Sequence, residues 1–267
     1  MVDILYDMAS PHLKHSVSDT LSVMVDRLTH HGRLTPEDQR SILSLPVTTR
    51  QVPPKSTVVR QGDAGDRLSI LLDGYVVRQK EVEDGERQII SLELPGDILN
   101  LPSVFLGRAD HDVYSLTPAK VAEIPAAVFL KLVNIRPAIT RAVLKAALVE
   151  GVVYREAMVS LGRRDAKQKL AHFLCEHITR MSVRGLGRDG SFDLPMTQQQ
   201  IADAIGLTAV HLNRTLALLK KQGLISHSGA VLKVVNLEGL KAIARFSGEY
   251  LSARVEAEIL EPVIRSR

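Results

Sequence analysis

The spacing of hydrophobic residues changes character along this chain of 267 residues. From about residue 51 to 124, short alternating runs are separated by glycine-containing turns, at intervals of roughly eight to twelve residues. This spacing predicts an antiparallel sandwich or barrel. The runs are Ser56–Arg60, Leu68–Leu72, Tyr75–Arg78, Gln88–Ser91 and Val121–Ile124. Asp84 and Gly85, between two of the runs, predict a β-hairpin turn.

Helical spacing surrounds the alternating segment. Thr35, followed by proline and two acidic residues, predicts a helix start after a mostly helical lead-in over residues 1–35. Pro137 begins a long helix that is predicted to reach about Leu161 and is apolar on more than one face. Gly162 interrupts this pattern, and we interpret it as a hinge.

A capping box, Asp165 with Gln168, predicts a further helix that reaches about Met181. Cys175 lies among aliphatic residues of this helix and is predicted to pack as a small hydrophobic residue. It is the one cysteine of the chain, which excludes an internal disulfide and favours a reducing compartment. We therefore expect a cytoplasmic protein.

The stretch from Pro195 to Gly223 has the spacing of two short helices around a tight turn. Thr197 with Gln200 forms a capping box, so the first helix is predicted to begin near residue 198. Gly206 lies where that helix is predicted to end, and glycine tolerates the positive φ that such a turn requires.

The second helix of this stretch has Thr208 as its predicted N-cap. Leu212, Leu216 and Leu219 recur at helical spacing and are predicted to face inward. Ala202 lies four residues before the turn glycine and permits a close approach of the two backbones, whereas Leu212 fills the angle between them. This spacing predicts a helix-turn-helix, whose second helix enters the DNA major groove.

The outward face of the second helix supplies the candidate DNA contacts. The residues predicted to contact bases are Ala209, Val210, His211, Asn213 and Arg214. Arginine pairs with guanine and asparagine with adenine through two hydrogen bonds each. The predicted phosphate contacts are Thr197, Gln198, Thr208, Lys220 and Lys221. After Gly223, residues 224–227 and 231–235 flank Ser228-Gly229 and predict a hairpin wing, followed by a helix with Asn236 as its N-cap.

Charge is concentrated on the segment that holds this motif. Residues 163–235 carry 11 Lys and Arg against 5 Asp and Glu, whereas residues 1–162 carry 18 against 20. A basic segment that coincides with a helix-turn-helix favours double-stranded DNA as the partner. No apolar stretch is long enough to span a membrane, which needs about 18 residues.

The glycine-containing turns also carry a resemblance. The order RQGD, LDGYV, DGE, LPGD and VAEIP, with Gly62, Gly74 and Gly96, resembles the β-roll of the cyclic-nucleotide-binding superfamily found in bacterial Crp/Fnr regulators. The resemblance implies an α+β fold with an antiparallel β-roll sensor, a long dimerisation helix and a winged helix-turn-helix. It also implies a homodimer that binds an inverted repeat and contacts RNA polymerase. The domains expected are a helical lead-in (1–35), the β-roll (36–136), the dimerisation helix and hinge (137–162), the DNA-binding domain (163–236) and a helical extension (237–267).

One segment departs from the family pattern. In members that bind cyclic nucleotides, a Glu and an Arg–Ser pair hold the ribose and the phosphate, and the matching positions here are Leu101, His111 and Asp112. Acidic residues at a phosphate position repel it, so cyclic AMP or GMP is not expected. The candidate effector pocket comprises Asn100, Leu101, Ser103, Arg108, His111 and Asp112. The alternative is a regulator that is gated by a cyclic nucleotide or another small molecule in this pocket, and the effector, or its absence, stays open.

The resemblance makes the long helix the dimer helix, with a predicted seam through Leu144, Ala147, Gly151, Tyr154, Met158 and Leu161. Two other function classes stay open. One is a catalytic protein that uses the roll as a regulatory module, although no phosphate loop, metal-ligand cluster or nucleophile signature occurs in the sequence. The other is a DNA binder without sequence preference. No cofactor and no metal are expected.

Overall fold

The structure is a computed structural model that describes residues 20–82, 85–186, 194–228 and 231–251. Most of the predicted lead-in, Asp84 of the hairpin turn, Gly229 of the wing turn and residues 252–267 of the predicted extension lie outside the described residues. Two helices come first, α1 (Ser22–His31) and α2 (Pro36–Leu43). The predicted start of α2 is confirmed, since Thr35 forms a capping box with Asp38.

Seven strands form two antiparallel sheets. They are β1 (Thr48–Val52), β2 (Thr57–Val59), β3 (Arg67–Asp73), β4 (Val76–Glu81), β5 (Arg87–Glu93), β6 (Asp112–Ser115) and β7 (Ala119–Pro125). One sheet has the order β1-β7-β3 and the other the order β2-β6-β4-β5. We call these strands the roll. The sequence did not predict β1 or β6, because β1 is mostly polar and exposed, and β6 begins within an acidic segment that is typical of a loop.

The turns of the roll follow the prediction. Gly62, Gly74 and Gly96 all have positive φ, between 87° and 93°. Strand β4 pairs with β5 in antiparallel register, as the predicted hairpin requires. Two helices, α3 (Leu101–Leu106) and α4 (Ala126–Ile135), complete this part of the chain.

The long helix, α5, spans Pro137–Arg163. Gly162 is therefore not a hinge: it lies inside the helix, and the backbone becomes extended only at Arg164. A glycine inside a helix costs only about 1 kcal/mol, and Asp165 starts the next helix at once. That helix, α6 (Ala166–Val183), begins with the predicted capping box. Cys175 is buried in its apolar face, and burial raises the pKa of the thiol to about 12.

The remaining elements form a winged helix-turn-helix. They are α7 (Gln198–Ile205), α8 (Ala209–Lys221), β8 (Ile225–Ser228), β9 (Val231–Val234), α9 (Leu237–Ala244) and a 3-10 turn (Gly248–Leu251). We call α6–α9 with the hairpin β8–β9 the reader. The hairpin is antiparallel, and the Asn236 side chain accepts from the Gly239 amide at the start of α9. The predicted α+β architecture of roll, long helix and winged helix-turn-helix is confirmed.

Three apolar cores hold the chain together. One lies between the two sheets of the roll, and a second packs helices α1, α2, α4 and α5 against the three-stranded sheet. The third is the reader core, which extends from α6, α7, α8 and α9 to Val77, Ile89 and Leu92 of the roll. The reader is therefore packed against strands β4 and β5 of its own chain.

His31, His172 and His177 are buried on the helices of this framework. Burial lowers the pKa of His31 and His177 to about 3 and that of His172 to about 4. The positive charges of Arg180 and Arg184 lower the pKa of His177 further. All three side chains are therefore neutral in the folded protein at neutral pH.

Leu212 of α8 is fully buried, whereas Leu218 of the same helix is 43% exposed. Leu212→Ala is expected to lower the free energy of unfolding by about 2–5 kcal/mol, since it leaves a cavity in the reader core. Leu218→Ala, the matched control, is expected to change it by less than about 0.5 kcal/mol. Urea unfolding measures both, and equal losses would contradict the packing described for α8.

The buried histidines predict a loss of stability in acid. Their folded-state pKa values lie below the ordinary value of 6.5, so the unfolded chain binds protons first as the pH falls. The free energy of unfolding is expected to be fully retained above pH 6.5 and to fall between pH 6.5 and about 3, by up to about 1.4 kcal/mol per pH unit for each histidine. His177→Leu should reduce the slope of this pH dependence by the amount that one proton contributes. A wild-type slope in His177→Leu would refute this assignment.

Candidate nucleic-acid interface

Helices α7 and α8 meet at a turn that begins with Gly206. This residue adopts the left-handed conformation, with φ 63° and ψ 49°, which glycine alone adopts readily. The predicted caps are confirmed: Thr197 forms a capping box with Gln200, and Thr208 Oγ1 accepts from the His211 amide at 3.2 Å. The first turns of both helices are therefore fixed by local hydrogen bonds.

The inward face of α8 locks the helix in place. Leu212 and Leu219 are fully buried, and so is Ala202 on α7 where the two helices approach. The prediction differs at two neighbouring positions. Leu216 is only half-buried, and Thr215 is buried and donates its hydroxyl to the His211 carbonyl at 2.9 Å.

The outward face of α8 carries the side chains predicted to contact bases. Val210 is 63% exposed, and His211, Asn213 and Arg214 are exposed as well. Ala209 is half-buried at the first helical position. Positions 210, 213 and 214 are three and four residues apart, so they form one continuous surface at the N-terminal half of the helix.

The residues predicted to contact phosphates lie around this surface. All five, Thr197, Gln198, Thr208, Lys220 and Lys221, are exposed. The two threonines cap α7 and α8 by accepting from amides, so each hydroxyl keeps a hydrogen to donate. Helix N-termini also present unpaired amides to an anion. The two lysines mark the other end of α8.

The candidate effector residues do not line one pocket. Asn100 and Ser103 are buried, and their side chains hydrogen-bond to backbone groups of the same chain. His111 is buried against Asp110, at 2.8 Å from its carboxylate. Asp112 accepts from the Gln61 amide and Arg108 donates to the Gly62 carbonyl. Leu101 alone lines the cleft between the roll and α5.

A buried arginine, which was not predicted from the sequence, lies beside that cleft and contacts several of its lining residues. Arg78, 2% exposed, donates to the Glu150 carboxylate and, at 2.6 Å, to the Tyr154 hydroxyl, both on α5. It also donates to the Ile98 carbonyl at 2.6 Å. Its Nε lies 3.5 Å from a carboxylate oxygen of Glu93. One guanidinium thus joins β4, β5, the segment after Gly96 and the long helix.

The electrostatics of this cluster keep the guanidinium charged. Neighbouring carboxylates hold the pKa of Arg78 above its ordinary value despite burial. Burial raises the pKa of Glu93, and raises that of Tyr154 to about 12. The free volume left in the cleft is about 70 Å³, whereas ligand pockets typically measure about 300–1,000 Å³. The cleft as folded is therefore smaller than a typical ligand pocket.

A second buried cluster fastens the reader to the roll. The Asp97 carboxylate accepts from Arg27 of α1 at 3.2 Å and from Arg180 and Arg184 of α6 at 3.3 and 2.7 Å. Nearby positive charge, chiefly that of Arg184, holds the pKa of Asp97 well below its usual range despite burial. One carboxylate therefore joins the first helix, the roll and the reader.

The exposed apolar face of α5 differs from the predicted seam. Leu144, Leu148 and Met158 are 57%, 59% and 70% exposed. Tyr154 and Ala147 line the cleft of their own chain, and Arg78 donates to the tyrosine hydroxyl. Leu148 was not part of the predicted seam and is exposed, as Leu144 and Met158 are. The seam itself stays a prediction. Leu161 lies beside the turn of the reader, where a Cβ at position 206 would come within 2.8 Å of it.

Neither a metal site nor a membrane span emerges from the described ranges. No group of three or more His, Cys, Asp or Glu side chains in the described part of the chain could hold a metal ion. Within that same part, every helix is too short or too polar to cross a bilayer.

Comparisons with known proteins agree with this geometry. Residues 49–136 match the cyclic nucleotide-binding domain and residues 168–243 the Crp-like helix-turn-helix domain. The chain is 32% identical over 189 residues to the nitrogen fixation regulation protein FixK of Bradyrhizobium diazoefficiens, covering 70% of this chain and 78% of FixK. It is 31% identical over 199 residues to the transcriptional activatory protein AadR of Rhodopseudomonas palustris, covering 73% and 80%.

Among solved structures, FixK2 from Bradyrhizobium japonicum has the same fold, with a TM-score of 0.68 at 24% identity. The match covers 76% of this chain and 100% of FixK2. The chain contains both domains in this order, and its similarity to FixK covers most of both proteins. The protein belongs to the Crp/Fnr family of transcription regulators.

Proposed function

We propose that this protein regulates transcription as a homodimer that reads an inverted-repeat operator through the outward face of α8. The observation that carries the proposal is the exposure of Asn213 and Arg214 on a helix whose opposite face is locked by Leu212 and Leu219. A fixed helix with exposed hydrogen-bonding groups in its N-terminal half fits the major groove. In this proposal residues 36–136 act as the sensor, residues 137–162 pair the two subunits and residues 163–236 read DNA.

Base reading is assigned to the N-terminal half of α8. Arg214 donates two hydrogen bonds to guanine, and Asn213 pairs with adenine in the same way. Val210 presses against a thymine methyl, while Ala209 and His211 border this contact. In the family the position of Val210 is more often Glu, so the operator should differ from those of the best-known members. The five phosphate candidates add affinity without sequence preference.

Regulation does not require a cyclic nucleotide in this proposal. The small free volume of the cleft and the acidic residues at the phosphate position both support this. The described residues give no support to a catalytic role. Relatives named as transcriptional activators favour RNA polymerase as a further partner. We expect the protein to act in the cytoplasm.

Arg214→Ala tests base reading on an operator isolated by capture of genomic fragments with the purified protein. The variant is expected to lose about 1–3 kcal/mol of binding free energy on that operator and little on scrambled DNA. Lys221→Ala, the matched control, should weaken both by similar amounts, since phosphate contacts are independent of sequence. Fluorescence anisotropy measures the four affinities. Equal losses on both DNAs in Arg214→Ala would exclude base reading by this residue.

Leu148→Glu tests the dimer. A carboxylate on the exposed stripe of α5 is expected to convert the dimer to a monomer in sedimentation equilibrium, because its charge would be buried at the interface. Val82→Glu is the control, since Val82 is 59% exposed at the end of β4 and should leave the dimer intact. The wild type should protect two half-sites about 34–36 Å apart in a footprint. A monomeric wild type in sedimentation equilibrium, or a footprint with one unrepeated half-site, would contradict the proposed homodimer.

A further inference from the structure

The reader packs against an apolar face of the roll. Val77, Ile89 and Leu92, on strands β4 and β5, are 1%, 2% and 4% exposed and pack into the same cluster as Ala202 of α7. Residues Ala204 and Ile205, at the end of α7, line a narrow cleft with Ile89 and Leu92. The helix that precedes the turn therefore lies directly on the roll.

A glutamine of the roll completes the end of α7. The last carbonyls of a helix have no partner within it, and here the Leu207 amide donates to the Ala202 carbonyl. The carbonyls of Asp203 and Ala204 are left for another donor. The Gln88 side-chain amide of β5 fills this role, at 2.7 Å from the Asp203 carbonyl oxygen and 3.3 Å from that of Ala204.

An ion pair reinforces the same contact. Arg87 Nε lies 2.7 Å from the Asp203 carboxylate, whose side chain is only 11% exposed. The second carboxylate oxygen accepts from Gln199, one turn earlier on α7, at 2.7 Å. Asp203 is thus held from both sides, by its own helix and by the roll.

We infer that Gln88 and Arg87 of the roll are positioning residues for DNA reading, because they hold the end of α7, and through the turn at Gly206 the recognition helix α8, in one orientation. This inference rests on the proposed function. With α7 packed on the roll, Val210 and Arg214 stay exposed. The contact therefore orients the DNA-binding face of α8 and does not cover it. Operator binding requires the two readers of a dimer to enter successive major grooves together, so their orientation matters. Binding to scrambled DNA depends on attraction to phosphates, which does not require one orientation of the reader.

Gln88→Ala is expected to weaken operator binding about tenfold, because it removes the half-buried hydrogen bonds to the end of α7. Binding to scrambled DNA should stay within about twofold. Gln51→Ala, at an exposed glutamine of β1, is the matched control and should change neither. The ratio of the two affinities is the decisive quantity, because a general loss of folded protein lowers both. An operator affinity in Gln88→Ala equal to or higher than that of the wild type would overturn the inference.

A charge exchange across the ion pair provides a second test that does not depend on Gln88. Arg87→Asp and Asp203→Arg should each lower the ratio of operator to scrambled affinity, and the double variant, whose net charge is that of the wild type, should recover most of it. No recovery in the double variant would overturn the role of Arg87. A wild type without operator preference would instead refute the proposed function, so the two failures are distinguishable.

Discussion

The crossing of α7 and α8 is the constraint on which the DNA-binding surface depends. Gly206 turns the chain in a left-handed conformation, and Ala202 and Leu212 let the two helices meet without a gap. With Leu212 buried, positions 213 and 214 have one orientation available, which is outward. The side chains proposed to recognise bases are therefore set by residues that touch no base.

Buried charged side chains fix the relative positions of the roll, the long helix and the reader. Arg78 ties the roll to the long helix from inside the cleft, and Asp97 ties α1 and α6 to the roll. Removing one partner from such a cluster leaves an unpaired charge in a low-dielectric interior, which typically lowers the free energy of unfolding by about 3–5 kcal/mol. These clusters fix how the parts sit together.

Local signals in the sequence were enough to predict most of the fold and the outward face of the reader. Capping boxes at Thr197 and Asp165 and the left-handed turn at Gly206 depend on residues three or four positions apart, and they were read correctly. The three-and-four spacing of the leucines likewise identified the buried side of α8, apart from the exchange of burial between Thr215 and Leu216.

Features that depend on distant residues could not be read in this way. Arg78 and Glu150 are 72 residues apart, and no local pattern pairs them. The one available signal was a charged residue at the end of the otherwise apolar run Tyr75–Arg78. The contact between Arg78 and Tyr154 joins residues 76 positions apart, so helical spacing alone could not predict it.

The most direct test of the account is selection from a randomised pool of double-stranded DNA with the purified protein. The structure leads us to expect enrichment of one inverted repeat, bound more tightly than a scrambled sequence of the same composition at the same salt concentration. An unenriched pool, or equal affinity for the repeat and its scrambled counterpart, would contradict sequence reading by α8.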